Sequence, residues 1–165
     1  MELNLLPILN CEGRKLPIDV ILDLENQPDD TFRFLEPVHV TGQAVNVGGC
    51  LELEVSGEAK LSMTCHRCAE SFACTVPFVM EERLKKEDPL SQEEENPDVT
   101  VFAGNTIDFG EMVYGAVFLS LPTKALCRED CKGLCPICGK NLNTGGCSCD
   151  TEPSDPRFDI LDQLL

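Results

Sequence analysis

Eight of the eleven cysteines in this 165-residue chain stand in four close groups: Cys65-x2-Cys68, Cys127-x3-Cys131, Cys135-x2-Cys138 and Cys147-x-Cys149. Such groups point to the coordination of a soft metal. A C-x2-C turn presents two sulfurs from one tight backbone loop, and a tetrahedral ion accepts four thiolates. In Cys135-Pro136-Ile137-Cys138-Gly139, Pro136 pre-sets the turn and Gly139 lets the chain fold beneath an ion without a Cβ clash. Only eight residues separate Cys138 from Cys147, among them Asn143, Gly145 and Gly146. This is a loop able to close on one ion. Cys135, Cys138, Cys147 and Cys149 are therefore predicted to form one site, since four ligands of one type within fifteen residues rarely occur without metal.

Cys65 and Cys68 lie at a predicted hairpin tip, and two ligands do not make a closed structural site. Elimination pairs them with Cys127 and Cys131. In the alternative pairing the two C-x2-C knuckles share an ion, which leaves Cys127, Cys131, Cys147 and Cys149 for the other. Local closure favours the first arrangement. Two zinc ions are expected, with iron as the rival metal. Cys11, Cys50 and Cys74 stand alone and read as buried free thiols. A redox dithiol at Cys65 and Cys68 would call for a βαβ context that the sequence lacks.

Other function classes are disfavoured. A catalytic zinc keeps an open position, commonly beside His or carboxylate ligands. The chain has two histidines: His39 inside a predicted strand, read as a satisfied structural residue, and His66 between two cysteines, expected to face solvent. There is no Walker-type loop, G-x-S-x-G or H-E-x-x-H. The chain is predicted not to be an enzyme. The odd total of eleven cysteines, eight of them in close groups, argues against a disulfide framework. No run of about 18 apolar residues is present, so no membrane span is expected. Met1-Glu2-Leu3-Asn4 lacks a basic leader, and a cytoplasmic location is expected.

A net charge of −16 repels a bare phosphate backbone. Contact with nucleic acid must be local and weak, or pass through a basic protein. The longest stretch that is not acidic is 123–150, with Lys124, Arg128, Lys132 and Lys140 against Glu129, Asp130 and Asp150. Two zinc tetrathiolates, each formally −2, would weaken that basic character again.

The elements that must carry the cysteines are mostly strands. Leu16, Ile18, Val20, Leu22 and Leu24 alternate. After a turn at Gln27-Pro28-Asp29-Asp30 come Val38 and Val40, then Val45 and Val47, with a bulge expected near Gly42. Gly48-Gly49 turns the chain. Leu51, Leu53 and Val55 alternate, a turn is expected at Gly57, and Ala59, Leu61, Met63 and Cys65 follow. Phe72, Cys74, Val76, Phe78 and Met80 form a further strand. Residues 81–98 hold eight acids and three bases and read as a solvated loop. Val99 and Val101 suggest a short strand. Asp108 with Glu111 forms a capping box, Met112, Val113, Ala116, Val117 and Leu121 fall on one helical face, and Pro122 stops the helix. Asp155, Pro156 and the apolar Phe158, Leu161 and Leu165 read as a closing helix.

The predicted architecture is a single domain of the α+β class, mainly β. It is an antiparallel meander or small open barrel with one packed helix and a zinc-stapled C-terminal segment. Its parts are a meander over 1–80, an acidic loop over 81–98, a strand and helix over 99–122, a metal segment over 123–150 and a closing helix over 151–165.

The segment Cys65-His66-Arg67-Cys68 followed by Phe72 resembles the C-x-R-C-x-x-x-F segment of the bacterial YceD family. So do Leu121-Pro122, Leu126-Cys127, Asp130-Cys131-Lys132-Gly133-Leu134-Cys135-Pro136, Cys138-Gly139, Asn141-Leu142-Asn143, Cys147-x-Cys149 and Asp155-Pro156-Arg157-Phe158. The resemblance runs from the meander to the end of the chain. It implies a factor for accumulation of large-subunit ribosomal RNA, through its synthesis, processing or stability, with a ribosomal particle or a basic ribosomal protein as partner. The rival readings are a binding protein switched by zinc and thiol oxidation, and an RNA-processing hydrolase.

Overall fold

A computed structural model describes residues 1–24, 31–87 and 97–149. They pack as two compact units. The described residues within 1–63 and 73–123 form the first; those within 64–72 and 124–149 form the second.

The first unit is built on strands. In chain order its elements are β1 (Glu2–Asn4), α1 (Leu6–Leu9), β2 (Lys15–Leu22), β3 (Phe32–Phe34), β4 (Val38–Val47), β5 (Cys50–Thr64), β6 (Ser71–Lys86), β7 (Thr100–Phe102), β8 (Thr106–Asp108) and α2 (Phe109–Leu119). The ends of β5 and β6 run on into the second unit. The main sheet is open, with strand order β2-β4-β5-β6-β7, and β3 also pairs with β5. The β1 and β8 strands form a separate two-stranded ribbon, with Leu3 opposite Ile107.

Alternation sets the buried face. Leu51, Leu53, Val55, Ala59, Leu61 and Met63 of β5 are buried, while Glu52, Glu54 and Glu58 between them are exposed. Val76, Phe78, Met80 and Leu84 do the same on β6. Gly48 and Gly49 take φ of +61° and +89°, the twisted two-residue turn that joins β4 to β5.

Asp108 caps α2, its carboxylate accepting from the Glu111 amide at 3.1 Å. Phe109, Val113 and Val117, one turn apart, are fully buried, and Tyr114 stacks on Phe32 at 5.7 Å. Burying each apolar side chain is worth about 1.5–3 kcal/mol, which outweighs the poor helix propensity of Gly110 and Gly115. The helix ends at Leu119, before Pro122, where the Ser120 hydroxyl donates back to the Ala116 carbonyl.

The structure corrects several expectations. No bulge occurs at Gly42, as β4 pairs with β5 in unbroken register from His39↔Glu58 to Val47↔Cys50. The apolar phase shift between Val40 and Val45 has another cause: Ala44 and Asn46 face inward, and Val47 is exposed. Gly42 is required because a Cβ there would lie 2.1 Å from the Glu54 carbonyl oxygen. Nor does the chain turn at Gly57, which lies mid-strand opposite Val40, where a Cβ would meet the His39 carbonyl at 2.6 Å and the Phe78 ring at 2.9 Å. The acidic loop does not begin at Glu81. Strand β6 continues to Lys86 because Leu84 is buried and Leu84–Lys86 pair with β7. That pairing is parallel, so the sheet is not a pure antiparallel meander. The turn at 27–30, the Glu93–Glu95 run and the closing helix over 151–165 lie outside the described residues.

One buried polar residue organises the start of the unit. Asn46 donates to the carbonyls of Ile8 at 2.7 Å and Leu9 at 2.9 Å, and accepts from the Gly49 amide at 3.0 Å. It ties α1 to the β4–β5 turn.

Candidate metal centres

The second unit contains both cysteine sites. In Cys65-His66-Arg67-Cys68 the Ala69 amide donates to the Cys65 carbonyl at 2.9 Å, and Ala69 takes φ of +57°. Cys135-Pro136-Ile137-Cys138 repeats the pattern, with the Gly139 amide donating to the Cys135 carbonyl at 2.9 Å and φ of +71° at Gly139. Both knuckles thus close through the same left-handed residue just after the second cysteine, where glycine is the unstrained choice.

The hairpin tip is fastened to the chain beyond residue 124 mainly through the backbone. The His66 amide donates to the Ala125 carbonyl at 2.8 Å, and the Leu134 amide to the Arg67 carbonyl at 3.1 Å. The Arg67 guanidinium donates to the carbonyls of Glu129 at 3.2 Å and Cys131 at 3.0 Å. Gly133, at φ +75°, lets the backbone approach Arg67, whose carbonyl would lie 3.0 Å from a Cβ.

These fastenings bring Cys65, Cys68, Cys127 and Cys131 together, with all sulfurs within 4.8 Å of one another. Cys65 and Cys131 are 3.8 Å apart, and Cys68 and Cys127 are 3.7 Å apart. Cys135, Cys138, Cys147 and Cys149 form a second such group. The grouping is the local-closure arrangement and not the shared-knuckle alternative. A tetrahedral ion with metal–sulfur bonds of about 2.3 Å places its sulfurs about 3.8 Å apart, so the first group has the spacing of a tetrathiolate shell. Both groups could hold a metal ion.

The two surroundings differ. In the first group Cys65, Cys68 and Cys131 are buried, with Phe72, Leu126 and Cys127 packed against them. In the second only Cys135 is buried, and Cys138 is exposed.

Each group mixes acidic and reluctant thiols. Burial raises the Cys65 thiol, but amides of Cys127, Cys68 and Arg67 outweigh it and bring Cys65 down to about 6. Amides of Cys138 and Ile137 bring Cys135 to about 6. Burial also opposes ionisation of Cys131, yet donors from Asn143 and Gly133 lower it on balance. Burial, with the neighbouring sulfurs, pushes Cys127 up to about 12, and the neighbouring Cys138 side chain with burial does the same for Cys149.

The remaining candidates fall elsewhere. His66 is exposed. His39 is also exposed and lies 2.7 Å from the Asp19 carboxylate. Cys11 is exposed, and Cys50 and Cys74 are half-buried, so none of the lone thiols is fully buried as expected. Cys11 sits in the turn after α1, and Cys74 contacts the Met63 sulfur at 3.4 Å. Residue-type reasoning missed Arg67 and Asn143 as supports of the first group. Their position inside the cysteine motifs was the available signal.

No helix among the described residues is long and apolar enough to cross a membrane. The described residues define an open β-sheet protein with one packed helix and two four-cysteine groups able to coordinate metal.

The chain belongs to the YceD family, whose model, described as "Large ribosomal RNA subunit accumulation protein YceD", matches residues 53–165. It is 25% identical over 172 residues to the "Large ribosomal RNA subunit accumulation protein YCED homolog 1, chloroplastic" of Arabidopsis thaliana, covering 88% of this chain and 52% of that protein. The namesake in Zea mays is 28% identical over 146 residues, covering 68% of this chain and 48% of its own length. An uncharacterized protein of Mycobacterium tuberculosis (strain ATCC 25618 / H37Rv) is 31% identical over 129 residues, covering 78% of this chain and 59% of its own length. The chain thus spans about half to three-fifths of the curated relatives it matches. No solved structure matches significantly.

Proposed function

We propose that this protein is a non-catalytic zinc-binding factor that supports the synthesis, processing or stability of large-subunit ribosomal RNA. Family membership supports the ribosomal part of this reading. The observation that carries the metal part is the 3.7–3.8 Å sulfur spacing in an all-cysteine shell. Cys65, Cys68, Cys127 and Cys131 hold one ion, and Cys135, Cys138, Cys147 and Cys149 hold the other. Four thiolates fill a tetrahedral shell and leave no position for water or substrate, so the ions organise the chain and do not activate a nucleophile. Zinc suits the paired knuckles better than iron.

The chain acts in the cytoplasm, through a ribosomal particle or a basic ribosomal protein drawn to its −16 charge. Direct contact with RNA is weak. Depletion of the protein should lower the ratio of large- to small-subunit ribosomal RNA, and affinity capture should recover large-subunit particles. An unchanged ratio would remove the ribosomal reading.

The exposure of Cys138 favours a second reading, in which oxidation of the outer site releases zinc and alters partner binding. Mild peroxide that releases zinc without changing captured partners would exclude it.

A further inference from the structure

Two hydrogen-bond donors reach the Cys131 sulfur: the Asn143 side-chain amide, at 3.3 Å, and the Gly133 backbone amide. Asn143 lies between Cys138 and Cys147, in the loop that closes the other cysteine group. The orientation of its amide is fixed by chemistry. The Lys132 backbone amide can only donate, so the Asn143 atom 2.8 Å from it is the oxygen. The nitrogen therefore faces the sulfur, and it also donates to the Asn141 side chain at 2.8 Å.

Gly133 depends on the same loop. Its carbonyl accepts from the Leu142 amide at 2.9 Å, and the neighbouring Cys135 amide donates to the Lys140 carbonyl at 2.8 Å. Gly139, Gly145 and Gly146 make this loop costly to order. Closing it on an ion held by Cys135, Cys138, Cys147 and Cys149 would offset that cost.

Resting on the metal reading above, we infer that the two sites are coupled: filling the Cys135–Cys149 site tightens the Cys65–Cys131 site because the closed loop delivers Asn143 to Cys131. Asn143 is a positioning residue, contacting one site while held by the loop of the other. The coupling is reciprocal, since each site must favour the other by the same factor. It also gives direction to assembly. The local loop, whose ligands span fifteen residues, closes first and completes the donor set for the long-range site.

The test is cadmium NMR of the full chain, challenged with a graded chelator. Wild-type protein should show two tetrathiolate signals, and Cys65→Ser assigns the long-range site by removing its tetrathiolate signal. Asn143→Ala should shift the signal of the long-range site and weaken its cadmium affinity by about 10–100-fold, the usual cost of losing an outer-shell partner. With the long-range site disabled by Cys65→Ser, Asn143→Ala should leave the affinity of the Cys135–Cys149 site unchanged to within about twofold, since reciprocity acts only when both sites can fill. In a Cys138→Ser background, which leaves the loop unclosed, Asn143→Ala should add little further loss. Asn143→Asp, which keeps the acceptor for Lys132 but removes the donor to sulfur, should reproduce the loss should Asn143→Ala fail to fold. Weakening of the Cys135–Cys149 site by Asn143→Ala even in the Cys65→Ser background, or weakening of neither site in the otherwise wild-type chain, overturns the coupling. Absence of any tetrathiolate signal in the wild-type protein overturns the metal reading itself, which is a separate result.

Discussion

The sulfurs of Cys65 and Cys131, 66 residues apart in sequence, lie 3.8 Å from each other. No local turn can produce that contact. It depends on Arg67, whose guanidinium binds the Cys131 carbonyl at 3.0 Å, and on the Arg67 carbonyl accepting from Leu134. Arg67→Ala should therefore weaken metal binding at the Cys65 group by about tenfold or more, as loss of an outer-shell support does. Arg67→Lys should rescue little, since one ammonium does not reproduce the planar fork that reaches two carbonyls. Chelator competition on each variant measures this. Undiminished binding in Arg67→Ala would show that the other backbone fastenings suffice.

Protein purified without added metal should contain about two zinc ions, one for each group of four cysteines. Elemental analysis decides between two, one and none. Cys138→Ser should raise hydrogen exchange chiefly across 124–149 and spare the sheet of the first unit. Cys65→Ser should loosen the hairpin tip. Exchange confined to 135–149 in Cys65→Ser would contradict the proposed ligand sets.

Zinc loading should release protons. At about pH 7.5 the metal-free groups keep Cys127 and Cys149 protonated, since both lie near 12. Zinc binds the thiolate, so each site must expel at least one proton. Calorimetry in buffers of different ionisation enthalpy counts them. The signs for the metal-free fold follow from the same values. Cys65 and Cys135, depressed from 9.0 to about 6, contribute stability that is present above 9 and lost as pH falls towards 6. Cys127 and Cys149, raised to about 12, contribute stability that is present below 9 and lost as pH rises towards 12. The metal-free second unit should be most stable near pH 9. A monotonic profile across that range would refute the assignment of acidic and reluctant thiols.

Asn46→Ala should destabilise the first unit by about 2–4 kcal/mol, because it strands the Ile8 and Leu9 carbonyls and the Gly49 amide. Metal content should not change. Urea denaturation followed by circular dichroism provides the measurement, and a loss under about 1 kcal/mol would mean that water replaces the amide.

Binding to free ribosomal RNA should be weak, with a salt slope corresponding to roughly two to four neutralised phosphates. Of the bases in the metal segment, Arg128 already faces Asp130 at 3.6 Å and Lys140 donates to the Gly146 carbonyl at 2.8 Å. Charge reversal at Lys132 should reduce the slope by about one. Tight binding with a steep slope would require a basic face elsewhere on the chain and would end the protein-mediated picture.

Local information in the sequence was sufficient wherever the partners are close along the chain. The Cys135–Cys149 group, the glycine turn at Gly48-Gly49, the Asp108–Glu111 cap and the alternation of β5 all depend on residues within a few turns or one strand. Their geometry is set by backbone sterics and by a period of two. The tertiary structure alone decided what depends on a neighbouring strand or a distant segment. Gly42 and Gly57 read as a bulge and a turn, yet each is fixed by a carbonyl on the paired strand. Glu81–Lys86 reads as a solvated loop from its charge, yet burial of Leu84 and pairing with β7 hold it in the sheet. The pairing of Cys65 and Cys68 with Cys127 and Cys131 came from elimination, because spacing shows which sulfurs can share an ion only when the intervening loop is short. Across 59 and 66 residues that choice belongs to the packing and hydrogen bonds that hold the hairpin tip against the later chain.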